Sequence, residues 1–330
     1  MNKIIGHANL ITFLRNVLKR RSAHAYLLSG PEHIGKTTIV ESILEDFFCE
    51  RPSGGLACQG CLSCRLVARH EHTEIKWLKA AEDKKNITID DIRSAKEFSQ
   101  IKPAKSQRFI VIEGAGDLNE PAANALIKVL EEPPVGVVFF LIDHGQTRLL
   151  PTILSRCQLI KFGLVSSQLI ADSLAGFNLD KDYKNNLLAL ADGRPGLAYD
   201  LAVNQELYNE KINRARDLFK ILSDNGWMAG QLILDKELGK GQSIPNSQAA
   251  EVLLSVWLEV ARDMLLWQNS LASQLRYQEL KNELQSLSRL SNRNFAADSL
   301  IKPIMSALEQ LRQNGQPRLV LENLISSLQD

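Results

Sequence analysis

No apolar run in this chain of 330 residues approaches the roughly 18 residues that a membrane-spanning helix needs. Its first residues also lack the basic-then-apolar layout of a secretory signal. The sequence therefore predicts a cytoplasmic protein with no membrane contact. An excess of charge of one sign is missing too. The formal net charge is +1 at pH 7, which excludes a chain-wide basic coat for nucleic acid and leaves only local patches. Cysteine is scarce at five residues, yet four of them fall within sixteen positions. With 45% hydrophobic and 23% charged residues the composition is that of a globular protein, and the length allows two or three domains with proper cores.

The strongest pattern present is Ser29-Gly30-Pro31-Glu32-His33-Ile34-Gly35-Lys36-Thr37-Thr38, which carries the spacing G-x-x-x-x-G-K-[ST] of a phosphate-binding loop. Gly30 and Gly35 let the backbone curl so that successive N–H groups face phosphate oxygens. Lys36 adds a point charge near the β- and γ-phosphates, and the Thr37 hydroxyl can join a Mg²⁺ shell. Ala25 to Leu28 reads as a short buried strand and Thr37 to Phe47 as an amphipathic helix, so the helix dipole also falls on the anion. ATP with Mg²⁺ is the ligand this frame suits. Hydrolysis does not follow from it.

Cys49, Cys58, Cys61 and Cys64 come next, with two C-x-x-C spacings and Gly54, Gly55 and Gly60 for tight turns. In a cytosolic chain such clustering suggests metal rather than disulfides, and four thiolates converging on Zn²⁺ leave no open position for water. The expected role is structural.

Elsewhere the pattern alternates between helix and strand. A helix with Leu10, Phe13, Leu14, Val17 and Leu18 inward ends at Lys19-Arg20-Arg21, read as a solvated helix end. Thr73 to Leu78 reads as a strand and 79–86 as a polar turn. Thr88 caps a helix with Asp90 and Asp91 in its first turn, and Pro103 stops it. Lys102, Lys105 and Arg108 gather beside the next strand. Arg108 to Glu113, Gly136 to Ile142 and Gln158 to Phe162 read as further strands, with a helix over 119–132 between the first two. This alternation predicts a parallel sheet with a nucleotide crevice at the strands' C-terminal ends.

Glu113 then stands where a P-loop fold holds its Mg²⁺-associated carboxylate. Many such ATPases carry a second carboxylate at the next position, and here it is Gly114. Asp117 is read as a capping or surface residue.

The run Ala122 to Pro134, ending Leu130-Glu131-Glu132-Pro133-Pro134, resembles the helix and turn that follow this strand in bacterial clamp-loader subunits of the AAA+ class. Ser155-Arg156-Cys157 resembles their S-R-C motif, and the four-cysteine insertion resembles their zinc module. The resemblance covers residues 1 to about 205. It implies a AAA+ domain of five parallel strands with the zinc module over 1–163 and a helical lid over 164–204. A helical collar over 205–330 would join five subunits into a ring. Within the DNA polymerase III machinery, tau/gamma ATPases and delta-prime-type subunits compete. Glu113-Gly114 stands in place of an Asp-Glu pair, Asp143-His144 in place of paired threonines, and Gly196 in place of the second-sensor arginine, from which Arg194 is displaced by two positions. These departures favour the delta-prime type, and so does an end at Asp330 where a tau chain would continue. They imply weak or absent ATPase activity of the chain's own.

The resemblance further implies that Arg156 acts in trans on ATP held by a neighbour, that the partners are tau/gamma and delta subunits in a hetero-pentameric ring, and that a sliding clamp is loaded on primed DNA. The alternatives are a tau/gamma-like ATPase or a nucleotide-sensing zinc adaptor outside replication. Beyond Asn204 only helical periodicity remains. Val252, Leu253, Val256, Trp257, Val260, Met264 and Trp267 form one stripe, and Leu300, Ile304, Leu308 and Leu311 begin another. From Gln205 onward, 14 Lys and Arg face 15 Asp and Glu, a balance poorly suited to a main DNA-binding surface.

Overall fold

In a computed structural model, the described residues are 4–20, 23–80, 86–104, 106–144, 149–222, 226–239, 246–289 and 297–328. Arg21, Lys105 and most of the polar turn expected over 79–86 lie outside them. By packing, the chain forms two compact units, one of Met1–Ser173 with Gly193–Gly196, the other of Leu174–Asp192 with Leu197–Asp330.

The first unit is built on a five-stranded parallel sheet. Its elements are α1 (Ala8–Arg20), β1 (Ala25–Ser29), α2 (Lys36–Phe48), α3 (Leu62–Ala68), β2 (Ile75–Leu78), α4 (Ile89–Gln100), β3 (Arg108–Glu113), α5 (Glu120–Glu131), β4 (Val137–Asp143), α6 (Pro151–Leu154), β5 (Gln158–Lys161) and α7 (Ser167–Ser173). The strand order is β2-β3-β4-β1-β5. Every residue of β4 is buried, as its unbroken apolar run requires of a strand covered on both faces. Alternation along the strands sends Tyr26, Leu28, Phe109 and Phe140 to the core shared with α1 and α2. Leu27, Ile110, Ile112 and Leu141 point to the opposite core, under α4 and α5. This is the parallel α/β sandwich expected of a AAA+ P-loop domain.

Three local details depend on contacts within the folded unit. The second strand begins at Ile75 rather than Thr73, because a turn closed by Ile75 N–H on the His72 carbonyl (2.9 Å) precedes it. Arg108 is buried. Its guanidinium lies buried over Phe98 and grips Glu74 through Nε–Oε2 (3.0 Å) and NH2–Oε1 (3.1 Å). Asn119, not Asp117, caps α5, its side chain accepting from Ala122 N–H at 2.9 Å, while Asp117 stays exposed in a short 3-10 turn. Thr88 does cap α4, in a capping box closed by Asp91.

Among its described residues the second unit has helices and no strand: α8 (Lys181–Ala191), most of α9 (Pro195–Val203), α10 (Gln205–Ile221), α11 (Gly226–Leu238), α12 (Asn246–Gln268), α13 (Lys281–Arg289), α14 (Ala297–Arg312) and α15 (Pro317–Ser327). The long helix α12 buries Leu253, Val256, Trp257, Val260 and Met264, and Trp257 donates to the Arg214 carbonyl at 3.0 Å. Leu300, Ile304, Leu308 and Leu311 of α14 are buried as the second stripe predicts. Polar contacts near the surface tie α8 to later parts of this unit. Asn186 and Tyr208 both donate to Glu279, and Arg276 pairs with Asp192. Among the described residues no helix is long and apolar enough to cross a membrane.

Candidate functional site

The phosphate-binding loop joins the end of β1 to the start of α2, with Gly35 as the left-handed N-cap (φ 93°). Lys36 is only 4% exposed. Its Nζ donates to the loop's own carbonyls, Gly30 at 2.7 Å and Pro31 at 2.6 Å. Burial pushes the Lys36 ammonium down to about 8, against the pull of the Asp143 and Glu32 carboxylates. A phosphate bound here would replace those two carbonyls as the acceptor of Lys36. Thr37 Oγ1 donates to Glu113 Oε1 at 2.9 Å, which joins the first turn of α2 to the end of β3. Thr38 follows in the same turn, half-buried. The donor set therefore fits a nucleotide phosphate with Mg²⁺ between Thr37 and Glu113.

Three further positions, Gly114, Asp143 and Gly196, bear on the chemistry of this cradle. Gly114 has φ +76°, and a Cβ there would stand 2.5 Å from Asp117 Oδ2. The position after Glu113 thus has no side chain and no room for one without moving Asp117. Asp143 ends β4 beside Ser29 of β1 and is 3% exposed, with Ser29 Oγ at 3.5 Å from Oδ2. A buried carboxylate near Lys36 opposes the charge of a triphosphate. His144 follows it, and its Nδ1 is buried without a partner among the described residues.

The segment Gly193–Gly196 closes on the loop itself. Gly196 N–H donates to the His33 carbonyl at 2.7 Å, and a Cβ at 196 would lie 2.8 Å from that oxygen. An arginine cannot take this place without breaking the contact. Arg194 lies half-buried two residues earlier.

Arg156 follows α6 and is 30% exposed by side chain. Its NH1 donates to the Thr152 carbonyl (2.8 Å) and Ser155 Oγ (3.3 Å), and its NH2 to Glu131 Oε1 (2.5 Å). Neighbouring Cys157 is half-buried, and burial pushes its thiol up to about 11, so it stays protonated and inert.

Cys49, Cys58, Cys61 and Cys64 come together as their spacing predicts. Their Sγ atoms lie within 4.8 Å of one another. The sequence folds this way because Cys49 ends α2 and Cys61 is the N-cap of α3, accepting from Cys64 N–H at 3.4 Å. Cys58 N–H donates to Cys49 Sγ (3.2 Å) and Cys61 N–H to Cys58 Sγ (3.3 Å). Such N–H donors favour thiolates. Amide donors, chiefly at Glu50 and then Cys64, bring Cys61 down to about 6, and those at Gly60 and Cys61 lower Cys58, while burial holds Cys64 high. Four sulfurs at this separation, half of them with lowered pKa, fit one metal ion in a closed tetrahedral site.

Two features had no sequence signal. Nothing in the spacing connects Glu131 with Arg156, which lie 25 residues apart. The hydrogen bond from Gly196 to His33 likewise joins two motifs far apart in the chain.

Residues 6–166 match the family model described as DNA polymerase III, delta subunit. The delta-prime subunit of Pseudomonas aeruginosa DNA polymerase III is 37% identical over 201 residues, which cover 60% of each chain, less than two thirds of that relative's length. The Bacillus subtilis delta-prime subunit is 26% identical over 316 residues, 96% of this chain and 93% of that one. The tau subunit of Bacillus subtilis is 30% identical over 169 residues, 51% of this chain and 30% of tau. The P-loop sheet, the cysteine cluster and these matches together support a bacterial DNA polymerase III clamp-loader subunit of the delta-prime type, with similarity to tau and gamma as well.

Proposed function

We propose that this chain completes an ATP site it does not itself own. In a cytoplasmic hetero-pentameric ring with tau/gamma and delta subunits, Arg156 reaches the ATP of a neighbour during loading of a sliding clamp onto primed DNA. The observation that carries this reading is the pairing of an intact, partly exposed Arg156 with a home site whose Lys36 is held by its own loop, whose Gly114 offers no side chain, and whose Gly196 is seated against the His33 carbonyl. In phosphoryl transfer, charge is spread over the γ-phosphate oxygens, and a planar guanidinium stabilises it through a fork that lysine cannot reproduce. Cys49, Cys58, Cys61 and Cys64 would hold one structural Zn²⁺. Any ATP bound at Gly30, Gly35, Lys36, Thr37, Thr38 and Glu113 would serve assembly rather than turnover. The working division is 1–163 for the nucleotide domain, 164–204 for the lid and 205–330 for the collar.

The test is Arg156→Ala in reconstituted rings. The mutant should assemble normally, lower DNA- and clamp-stimulated ATPase and place fewer clamps on primed DNA. Wild-type performance in both assays would refute the trans mechanism. A second reading, a tau/gamma-like ATPase, draws on the intact Lys36 and the 2.9 Å contact of Thr37 with Glu113. Robust turnover by the isolated subunit, abolished by Lys36→Ala, would favour it.

A further inference from the structure

Arg156 is held by a set of contacts, and one of them comes from another helix. Thr152 and Ser155 belong to its own turn and fix NH1. Glu131, the last residue of α5, fixes NH2 from across the surface. A guanidinium carries five N–H donors. These three bonds leave the Nε edge without a protein acceptor among the described residues. The group is thus anchored at one edge and open at another.

A carboxylate in this place could do one of two things: hold the arginine back, or aim it. Magnitude decides between them. Glu131 is 47% exposed and Arg156 30%, and the contact uses a single carboxylate oxygen. Pairs of this kind contribute little to stability in water. A charge-assisted fork onto a phosphate is far stronger, so the pair is too weak to withhold Arg156 from a triphosphate. It is strong enough to bias the rotamers of a long side chain whose freedom would otherwise be lost on binding. Pro133 and Pro134 follow the helix closely and disfavour its continuation, which keeps Glu131 at the helix end beside α6.

We propose that Glu131 is a positioning residue for Arg156, which it holds pre-aimed at the neighbouring site. This rests on the reading of Arg156 as a trans finger. Misplacement by even 1 Å can cost about a hundredfold in rate. Losing one of three anchors should cost less, about three- to tenfold, well inside the ceiling of about 10³–10⁵ set by losing a finger.

The experiment uses complete rings reconstituted with the wild-type chain, Glu131→Ala, Glu131→Gln, Arg156→Ala or the Glu131→Ala/Arg156→Ala double variant. Assembly is measured first, then kcat and KM for ATP in the presence of clamp and primed DNA. Glu131→Ala should lower kcat about three- to tenfold with KM and assembly unchanged. Glu131→Gln keeps the acceptor oxygen and should recover at least half of the loss. The double variant should be no slower than Arg156→Ala, because Glu131 acts only through Arg156. If Arg156→Ala is slow while Glu131→Ala matches or exceeds wild type, the positioning role is wrong and the finger stands. A double variant slower than Arg156→Ala also overturns it, since Glu131 would then act on its own. If Arg156→Ala itself matches wild type, the finger reading fails and Glu131 falls with it. Should the alanine variant assemble poorly, the glutamine variant and its KM decide, since a general defect would change assembly and a positioning defect only kcat.

Discussion

Putting a side chain back at position 196 should harm this protein rather than repair it. The resemblance to clamp-loader ATPases sets Gly196 where they would carry a second-sensor arginine, so Gly196→Arg is the substitution that this resemblance would choose to restore a hydrolase. In the structure the Gly196 amide donates to the His33 carbonyl at 2.7 Å, and any Cβ would stand 2.8 Å from the same oxygen. His33 already sits in left-handed backbone at φ 58°, so its carbonyl has little freedom to retreat. Breaking the hydrogen bond costs about 0.5–1.5 kcal/mol, and overpacking typically costs about 1–3 kcal/mol. Together they give a loss of about 2–4 kcal/mol for Gly196→Ala, which carries the same Cβ. With a urea m-value of about 2–3 kcal/mol/M, the midpoint should fall by roughly 1 M. The assay is urea unfolding followed by tryptophan fluorescence, to which Trp77 in β2 of the same unit contributes, with ATPase measured in parallel on Gly196→Arg. Unchanged stability in Gly196→Ala, or a gain of ATPase in Gly196→Arg, would refute the claim that this glycine is required by its approach to the loop.

The remaining predictions touch the other parts of the site. Glu74→Ala strips the buried Arg108 of its carboxylate partner and should destabilise the protein by about 3–5 kcal/mol, read from the unfolding midpoint. Metal analysis of protein purified without chelator should find about one equivalent of Zn²⁺, and Cys61→Ser should lose most of it. Acid should release the metal, because protons compete for all four thiolates, and retention below pH 4 would argue for different ligands. Asp143→Asn removes a buried carboxylate from the neighbourhood of Lys36 and should raise ATP affinity about tenfold, or about 1.4 kcal/mol, with ADP affinity little changed. Equal gains for both nucleotides in a binding titration would place Asp143 away from the γ-phosphate.

The sequence by itself determined the elements and the local chemistry, because these depend on neighbours in the chain. The unbroken apolar run of β4 could only be a strand covered on both faces. The phosphate loop needed no more than its glycines, Lys36 and the helix that follows. The four cysteines converge because Cys49 ends one helix and Cys61 begins the next. Tertiary structure decided whatever depends on two distant segments meeting. Lys36 proved to be held by its own loop, Gly196 to be seated on His33, and Arg156 to be anchored by Glu131. Arg108, which the sequence placed only beside the next strand, is buried on Glu74, whose carboxylate compensates its charge. Spacing carries periodicity along one segment. It says nothing of which oxygen a donor meets after the sheet has brought strand ends together.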